Sequence, residues 1–164
     1  MEIAENHKLV FKIKNLKKQY RILIVDDDKN IAELLKDVMI LRGHNVTIIT
    51  DSIGCLNKCQ NINYDIIFMD FHMEQLDGIE LTSIIKNACN NNSLIFAFTG
   101  DNSNNAIKQF KNIGMNGAII KPIDINIISK FMNIIELQKS SNLLNDSQII
   151  KINNKQFKQQ IFYF

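Results

Sequence analysis

The chain has 164 residues, 46% hydrophobic and 22% charged, with a net charge of +2. That length suits one domain with a real core and is too short for two ordinary ones. So small a net charge gives no reason to expect nucleic acid or an anionic membrane as a partner.

The cysteines, Cys55, Cys59 and Cys89, are odd in number and form no C-x-x-C pair. This argues against a disulfide framework or zinc site and for ordinary reduced thiols. Met1 to Gln19 lacks the apolar core of a signal peptide. No run reaches the roughly 18 apolar residues of a membrane span. A soluble, cytoplasmic protein is the expectation.

In chain order, residues 1–20 set Lys8, Lys12, Lys14, Lys17 and Lys18 among Leu9, Val10, Phe11, Ile13 and Leu16. This reads as a basic linker or tether, with a basic surface helix as the alternative. A regular pattern starts at Arg21. Ile22-Leu23-Ile24-Val25 is a short β-branched run, suited to a strand buried on both faces, and it stops at Asp26-Asp27-Asp28. Ile31, Leu34, Leu35, Val38, Met39 and Leu41 recur near helical spacing, with Gly43 as a stop.

Val46 to Ile49 is the second strand, and Ser52 is placed to cap a helix over about residues 53–61. Ile66-Ile67-Phe68-Met69 is the third strand, ending at Asp70. Asp77-Gly78 breaks the next loop, and Ile79 to Ala88 is a helix. Asn90, Asn91, Asn92 and Ser93 form a turn. Leu94 to Phe98 is the fourth strand, ending at Thr99-Gly100. Residues 103–113 are helical, stopped by Gly114. Ala118 to Ile120 is the fifth strand, stopped by Lys121-Pro122. Ile125 to Leu137 is the last helix, with Asp124 as its N-cap.

Five strand–helix repeats with crossovers of this length predict an α/β fold: a three-layer αβα sandwich around a five-stranded parallel sheet. The domain is expected over residues 21–138. Residues 139–164 are an Asn/Gln-rich extension that closes on Ile161-Phe162-Tyr163-Phe164. Asn153-Asn154 there could turn a hairpin of Ile149–Ile152 against Phe157–Ile161. The aromatic end reads as a packing segment.

Asp26, Asp27, Asp70, Thr99 and Lys121 all fall at C-terminal ends of predicted strands. In a parallel sheet those ends share the crevice where ligands bind. Adjacent carboxylates raise one another's pKa unless a cation compensates. Hard oxygen ligands gathered this way suit Mg²⁺. Asp70 could attack phosphorus and form an aspartyl-phosphate, with Lys121 and the Thr99 hydroxyl donating to phosphoryl oxygens. Gly100 leaves room for the group to enter. The Lys121-Pro122 bond could be cis, which would fix the ammonium's direction. His7 and His44 lack nearby partners in sequence and support no phosphotransfer role.

These motifs resemble the receiver domain of two-component response regulators. The matching pieces are Ile22-Leu23-Ile24-Val25-Asp26-Asp27-Asp28, Asp70 to Gly78, Phe98-Thr99-Gly100 and Lys121-Pro122, within residues 20–138. The resemblance implies strand order 2-1-3-4-5, the flavodoxin-like arrangement. It implies that Asp70 is the phosphoacceptor and that Thr99 and Lys121 assist. It implies Mg²⁺ held by Asp26, Asp27, Asp70 and the backbone carbonyl of His72. The donor would be a phosphohistidine on a histidine kinase or phosphotransfer protein. No enzyme activity is implied beyond the domain's own phosphotransfer and autodephosphorylation.

Either a stand-alone receiver or a piece of a hybrid histidine kinase fits. A homodimer through the face of the fourth helix, fifth strand and fifth helix is a further family expectation. Three departures stand out. Glu74 replaces the usual Pro, implying a more mobile loop after Asp70. Ala118 stands where an aromatic residue often swings between exposed and buried states, so the usual Thr–aromatic coupling cannot operate as drawn. Gly100 replaces the common Ala, harmlessly. His72 and Asp101 occupy positions that influence phosphate loss in the family.

Two competing readings are weaker. A phosphorylation-independent interaction module would have no reason to keep the full acidic, hydroxyl and lysine set. A dehalogenase-type phosphatase needs D-x-D on the nucleophile strand, and His72 removes the second aspartate.

Overall fold

The computed structural model describes residues 18–89, 92–140 and 160–164. The elements are β1 (Arg21–Val25), α1 (Lys29–Leu41), β2 (Asn45–Ile49), α2 (Ser52–Asn61), β3 (Ile66–Asp70) and α3 (Gly78–Ala88). They continue with β4 (Leu94–Thr99), α4 (Asn104–Asn112), β5 (Gly117–Ile120), α5 (Ile125–Ser140) and β6 (Ile161–Tyr163). The sheet order is β2-β1-β3-β4-β5-β6. The first five strands are parallel in the expected order, and β6 pairs antiparallel with β5.

The sixth strand extends the five-stranded sheet expected from the sequence. Ile161, the last residue of the anticipated hairpin, pairs with Ile119 in β6; the hairpin's residues before Gln160 lie outside the described ones. Asn90, Asn91, His7 and all of residues 1–17 also lie outside them.

Between their end residues the central strands are apolar throughout, because helices cover both faces. Ile22, Ile24, Phe68, Phe96 and Phe98 face one layer with Leu35, Met39, Phe131 and Ile135 of α1 and α5. Leu23, Val25, Ile67, Met69, Ile95 and Ala97 face the other, with Cys55, Cys59, Leu81, Ile85 and Phe110 of α2, α3 and α4. Cys55 and Cys59 therefore share the buried face of α2, and all three cysteines are free thiols.

Helix starts follow side-chain capping of otherwise unpaired N–H groups. Asp28, Asp77 and Ser103 cap α1, α3 and α4. Asp124 Oδ1 accepts from the N–H of Asn126 and Ile127 before α5. The α2 cap is Asp51, one residue earlier than the sequence suggested, because its carboxylate reaches Gly54 N–H. Ser52 is instead buried and turned to the loop after β3.

At the N-terminal end of the strands a polar cluster ties the layers together. Arg42 makes a two-pronged contact with Glu136 of α5, at 2.8 and 3.0 Å, and also bonds Asn133. Tyr20 N–H donates to His44 Nδ1 at 3.3 Å, which leaves Nε2–H to donate to Glu136 at 2.8 Å. His44 thus finds partners that are far from it in sequence. Among the described residues, no helix is long and apolar enough to cross a membrane.

Candidate functional site

The opposite, C-terminal ends of the strands carry the acidic site. Register sets the levels: Val25 pairs with Met69, Asp70 with Phe98, Phe98 with Ile119, and Thr99 with Ile120. Asp26 and Asp70 therefore stand side by side, Thr99 one residue further along and Lys121 two.

The aspartate triplet divides its labour because successive residues leaving a strand point differently. Asp26 is fully buried and accepts from Asp28 N–H at 2.9 Å. Asp27 is exposed at the rim. Asp28 caps α1, accepting from Asn30 N–H at 2.9 Å and Ile31 N–H at 3.3 Å. Carboxylate oxygens of Asp26, Asp27 and Asp70 lie within 4.8 Å of one another.

Lys121 answers them from the residue that follows β5. Its Nζ lies 2.9 Å from Asp26 Oδ2 and 3.4 Å from Asp70 Oδ1. The ammonium also sits over the Phe98 ring, 5.0 Å from its centroid, a contact the sequence did not reveal. Lys121 N–H donates to the Thr99 carbonyl at 2.7 Å. The Lys121–Pro122 bond is cis. Thr99 is buried, and its Oγ1 accepts from Asp101 N–H at 3.0 Å. Accepting there leaves the hydroxyl hydrogen to be donated elsewhere.

Charge in this cluster is unbalanced. Burial raises the Asp70 pKa, and the neighbouring Asp26 raises it further. Lys121 and the His72 N–H, 3.4 Å from Oδ1, pull it down only partly, leaving it at about 6. Burial pushes the Lys121 pKa down, but Asp26 and Asp70 outweigh it, and the net shift is upward. The ammonium therefore stays charged.

Glycine shapes the loop behind Asp70. A Cβ on Gly78 would fall 2.3 Å from the Asp70 carbonyl oxygen, so α3 could not start so close to β3 with any other residue. The sequence marked Gly78 as a loop breaker without showing this approach. Ser52 Oγ accepts from Leu76 N–H at 3.1 Å and tethers the same loop, which bears Glu74. A cleft of about 330 Å³ opens beside Asp27, lined by Thr50, Asp51, Met73 and Glu74 among others.

The mouth is polar. His72 is exposed and its ring packs at a tilt against Phe71, with centroids 4.5 Å apart. Asp101 accepts from Ser103 N–H at 2.8 Å, which with the nearby His72 holds its carboxyl below the usual range. A Cβ on Gly100 would meet nothing within 4 Å. Ala118 is buried, and Phe162 of β6 stands in register with it. Hence Asp26, Asp27, Asp70, Thr99 and Lys121 all converge as their strand ends suggested, with His72 bordering them.

A family model described as the response regulator receiver domain matches residues 22–133. The chain is similar to the CAI-1 autoinducer sensor kinase/phosphatase CqsS of Vibrio cholerae, 30% identical over 121 residues, covering 73% of this chain and 18% of that protein. It is similar to the sensor protein EvgS of Escherichia coli O157:H7, 31% identical over 119 residues, covering 72% of this chain and 10% of that protein. Among solved structures, a two-component response regulator from Clostridium difficile superposes with a TM-score of 0.70 at 26% identity, covering 75% of this chain and 100% of that one.

Proposed function

This chain belongs to the response regulator receiver domain family, and from that premise we propose that Asp70 accepts a phosphoryl group from a phosphohistidine and acts as a switch or relay point. The observation that carries the reading is the Asp70 carboxylate, at 4% exposure, held 3.4 Å from Lys121 Nζ at the sheet's C-terminal edge.

With a pKa of about 6, Asp70 is mostly ionised at neutral pH and able to attack. An Asp70 oxygen forms a bond to phosphorus, the P–N bond to the donor imidazole breaks, and the imidazole leaves with the electron pair. Lys121 turns its ammonium to one phosphoryl oxygen and Thr99 donates its hydroxyl hydrogen to another. Hydrolysis by water breaks the new P–O bond and regenerates the carboxylate. His72 and Asp101, at the mouth, are placed to influence that rate.

The donor set fits Mg²⁺: clustered hard oxygens whose negative charge a single ammonium does not offset. Asp26, Asp27, Asp70 and the His72 carbonyl would hold it. When bound, Mg²⁺ supplies positive charge that offsets the phosphoryl oxygens.

Receiver domains of this kind interact with histidine kinases or phosphotransfer proteins. We extend that to this chain as a cytoplasmic relay component, stand-alone or from a hybrid kinase. A homodimer through α4, β5 and α5 would use a face whose β5 edge is already paired with β6. The interaction-module reading is not favoured, because such a module would be more stable without a buried, raised-pKa carboxylate at position 70.

The test is incubation with acetyl phosphate and Mg²⁺, read by intact mass and hydroxylamine sensitivity. One phosphoryl group that is lost to hydroxylamine and absent from Asp70→Asn is expected. An acid-stable adduct, or one that survives in Asp70→Asn, refutes the assignment.

A further inference from the structure

Strand β6 occupies the sheet edge that β5 would otherwise leave open, and β5 is built to receive it. A Cβ on Gly117 would fall 2.3 Å from the Phe162 carbonyl oxygen, so glycine is what admits the second backbone. Ala118, a small buried residue, lies in register with Phe162. Phe162 and Phe164 pack on the core layer that contains Ala106 and Phe110 of α4 and Met115. On the other face Tyr163 packs against Phe96, with centroids 5.8 Å apart. The pairing is framed by Ile120 N–H donating to the Gln160 carbonyl at 2.8 Å and Phe164 N–H to the Asn116 carbonyl at 3.0 Å.

The same strand enters the acidic site one residue later. Ile120 is bonded to Gln160, while Lys121 is bonded to Thr99 through its backbone and to Asp26 and Asp70 through its ammonium. A movement of Lys121 toward a phosphoryl group on Asp70 therefore reaches the Ile120–Gln160 bond through a single peptide unit. Docking also carries an opposing cost. Gln160 Oε1 is buried with no hydrogen-bond partner among the described residues, and a buried acceptor without a donor is unfavourable. A three-residue strand with such a cost is drawn from the weakly held end of a fold's local stabilities.

We propose that the β5 edge and its apolar floor from α4 form a strand-docking groove, that residues 160–164 are its occupant in the unmodified state, and that phosphorylation of Asp70 loosens them. The direction follows from the fit. The groove and strand are matched with Lys121 drawn to Asp26 and Asp70, so moving Lys121 degrades the match. Phe162, opposite Ala118, becomes the aromatic group that reports the state of the site, and the vacated edge becomes the output surface. This rests on Asp70 being the phosphoacceptor.

The test is amide hydrogen exchange by NMR on the full chain, in Mg²⁺ with and without beryllofluoride, with fluorine NMR to verify occupation of the Asp70 site. Exchange at Ile120 and Phe164 is expected to become about tenfold faster on occupation, with Leu23 and Ile67 unchanged. Verified occupation with unchanged exchange at Ile120 and Phe164 overturns the latch and leaves the phosphoacceptor reading standing. Failure to occupy the site overturns both. Two variants bear on the groove itself. Gly117→Val should free the Phe164 amide without beryllofluoride, and retained protection there refutes docking on β5. Gln160→Met, which removes the unpartnered acceptor, should slow Phe164 exchange several-fold relative to the parent, and faster exchange refutes the latch.

Discussion

Two partly buried ionic clusters sit at opposite ends of the same sheet, built from similar groups and tuned in opposite directions. At the N-terminal end one carboxylate, Glu136, is shared by a guanidinium and an imidazole. Burial alone would raise the Glu136 pKa, but Arg42 and His44 outweigh it and hold it below the usual range. At the C-terminal end one ammonium is shared by Asp26 and Asp70, with Asp27 beside them. There burial and Asp26 outweigh Lys121, and Asp70 is left at about 6. The ratio of carboxylates to cations decides the sign. The first cluster is satisfied and serves the fold; the second is short of positive charge and is poised to take a cation and a phosphoryl group.

The largest expected effect that separates them is chemical. Asp70→Asn should eliminate acetyl-phosphate labelling by intact mass, whereas Glu136→Gln should leave the labelling rate within about twofold, since it lies at the other end of the sheet. In stability the two substitutions should have opposite signs. Urea unfolding in EDTA at pH 7 should show Glu136→Gln less stable by about 2 kcal/mol, because it leaves the Arg42 charge facing a weaker partner. In the same buffer Asp70→Asn should be more stable by about 2–3 kcal/mol, since each pKa unit corresponds to about 1.4 kcal/mol. Equal signs would end the comparison.

pH sharpens it. Asp70 has a raised carboxyl, so between its unfolded pKa, about 4, and about 6 the folded state binds the extra proton. Its contribution to stability is therefore present at low pH and lost as pH rises through that window. The advantage of Asp70→Asn in EDTA should shrink as pH falls from 7 and vanish near 4. Glu136 has a depressed carboxyl, so its contribution is present above the ordinary glutamate range and lost as pH falls through its folded pKa.

Mg²⁺ should act on one cluster alone. At about ten times its Kd it should stabilise the parent by about 1.4 kcal/mol, with Asp27→Asn showing a smaller gain in thermal unfolding. The smallest effect belongs to Gly100→Ala. With nothing within 4 Å of the added Cβ, stability and labelling should stay within about 0.5 kcal/mol of the parent. A large loss there would mean that the mouth is tighter than its geometry indicates.

The poised cluster was legible in the sequence and the satisfied one was not. Asp26, Asp27, Asp70, Thr99 and Lys121 each end an apolar strand, and a parallel sheet brings such ends together whatever the loops do. Arg42, His44 and Glu136 carry no such marker. His44 and Glu136 lie 92 residues apart, on a turn and a helix whose meeting depends on how α5 packs. Local signals also misplaced a cap: Ser52 and Asp51 are both good N-caps, and which one serves depends on the loop bearing Leu76, which engages Ser52.

From sequence alone, then, come the parallel α/β order, the strand ends, the residue types at the site and the family that they resemble. All of these follow from short-range patterning, because strand and helix periods and breaker residues are written locally. Tertiary structure alone decided the rest. It set how far Asp70 is from its cation and how high its pKa rises, why Gly78 and Gly117 must lack side chains, and that residues 161–163 become a sixth strand opposite Ala118. Each of these depends on backbones and charges distant in sequence coming within a few ångströms, and a one-dimensional pattern does not carry that distance.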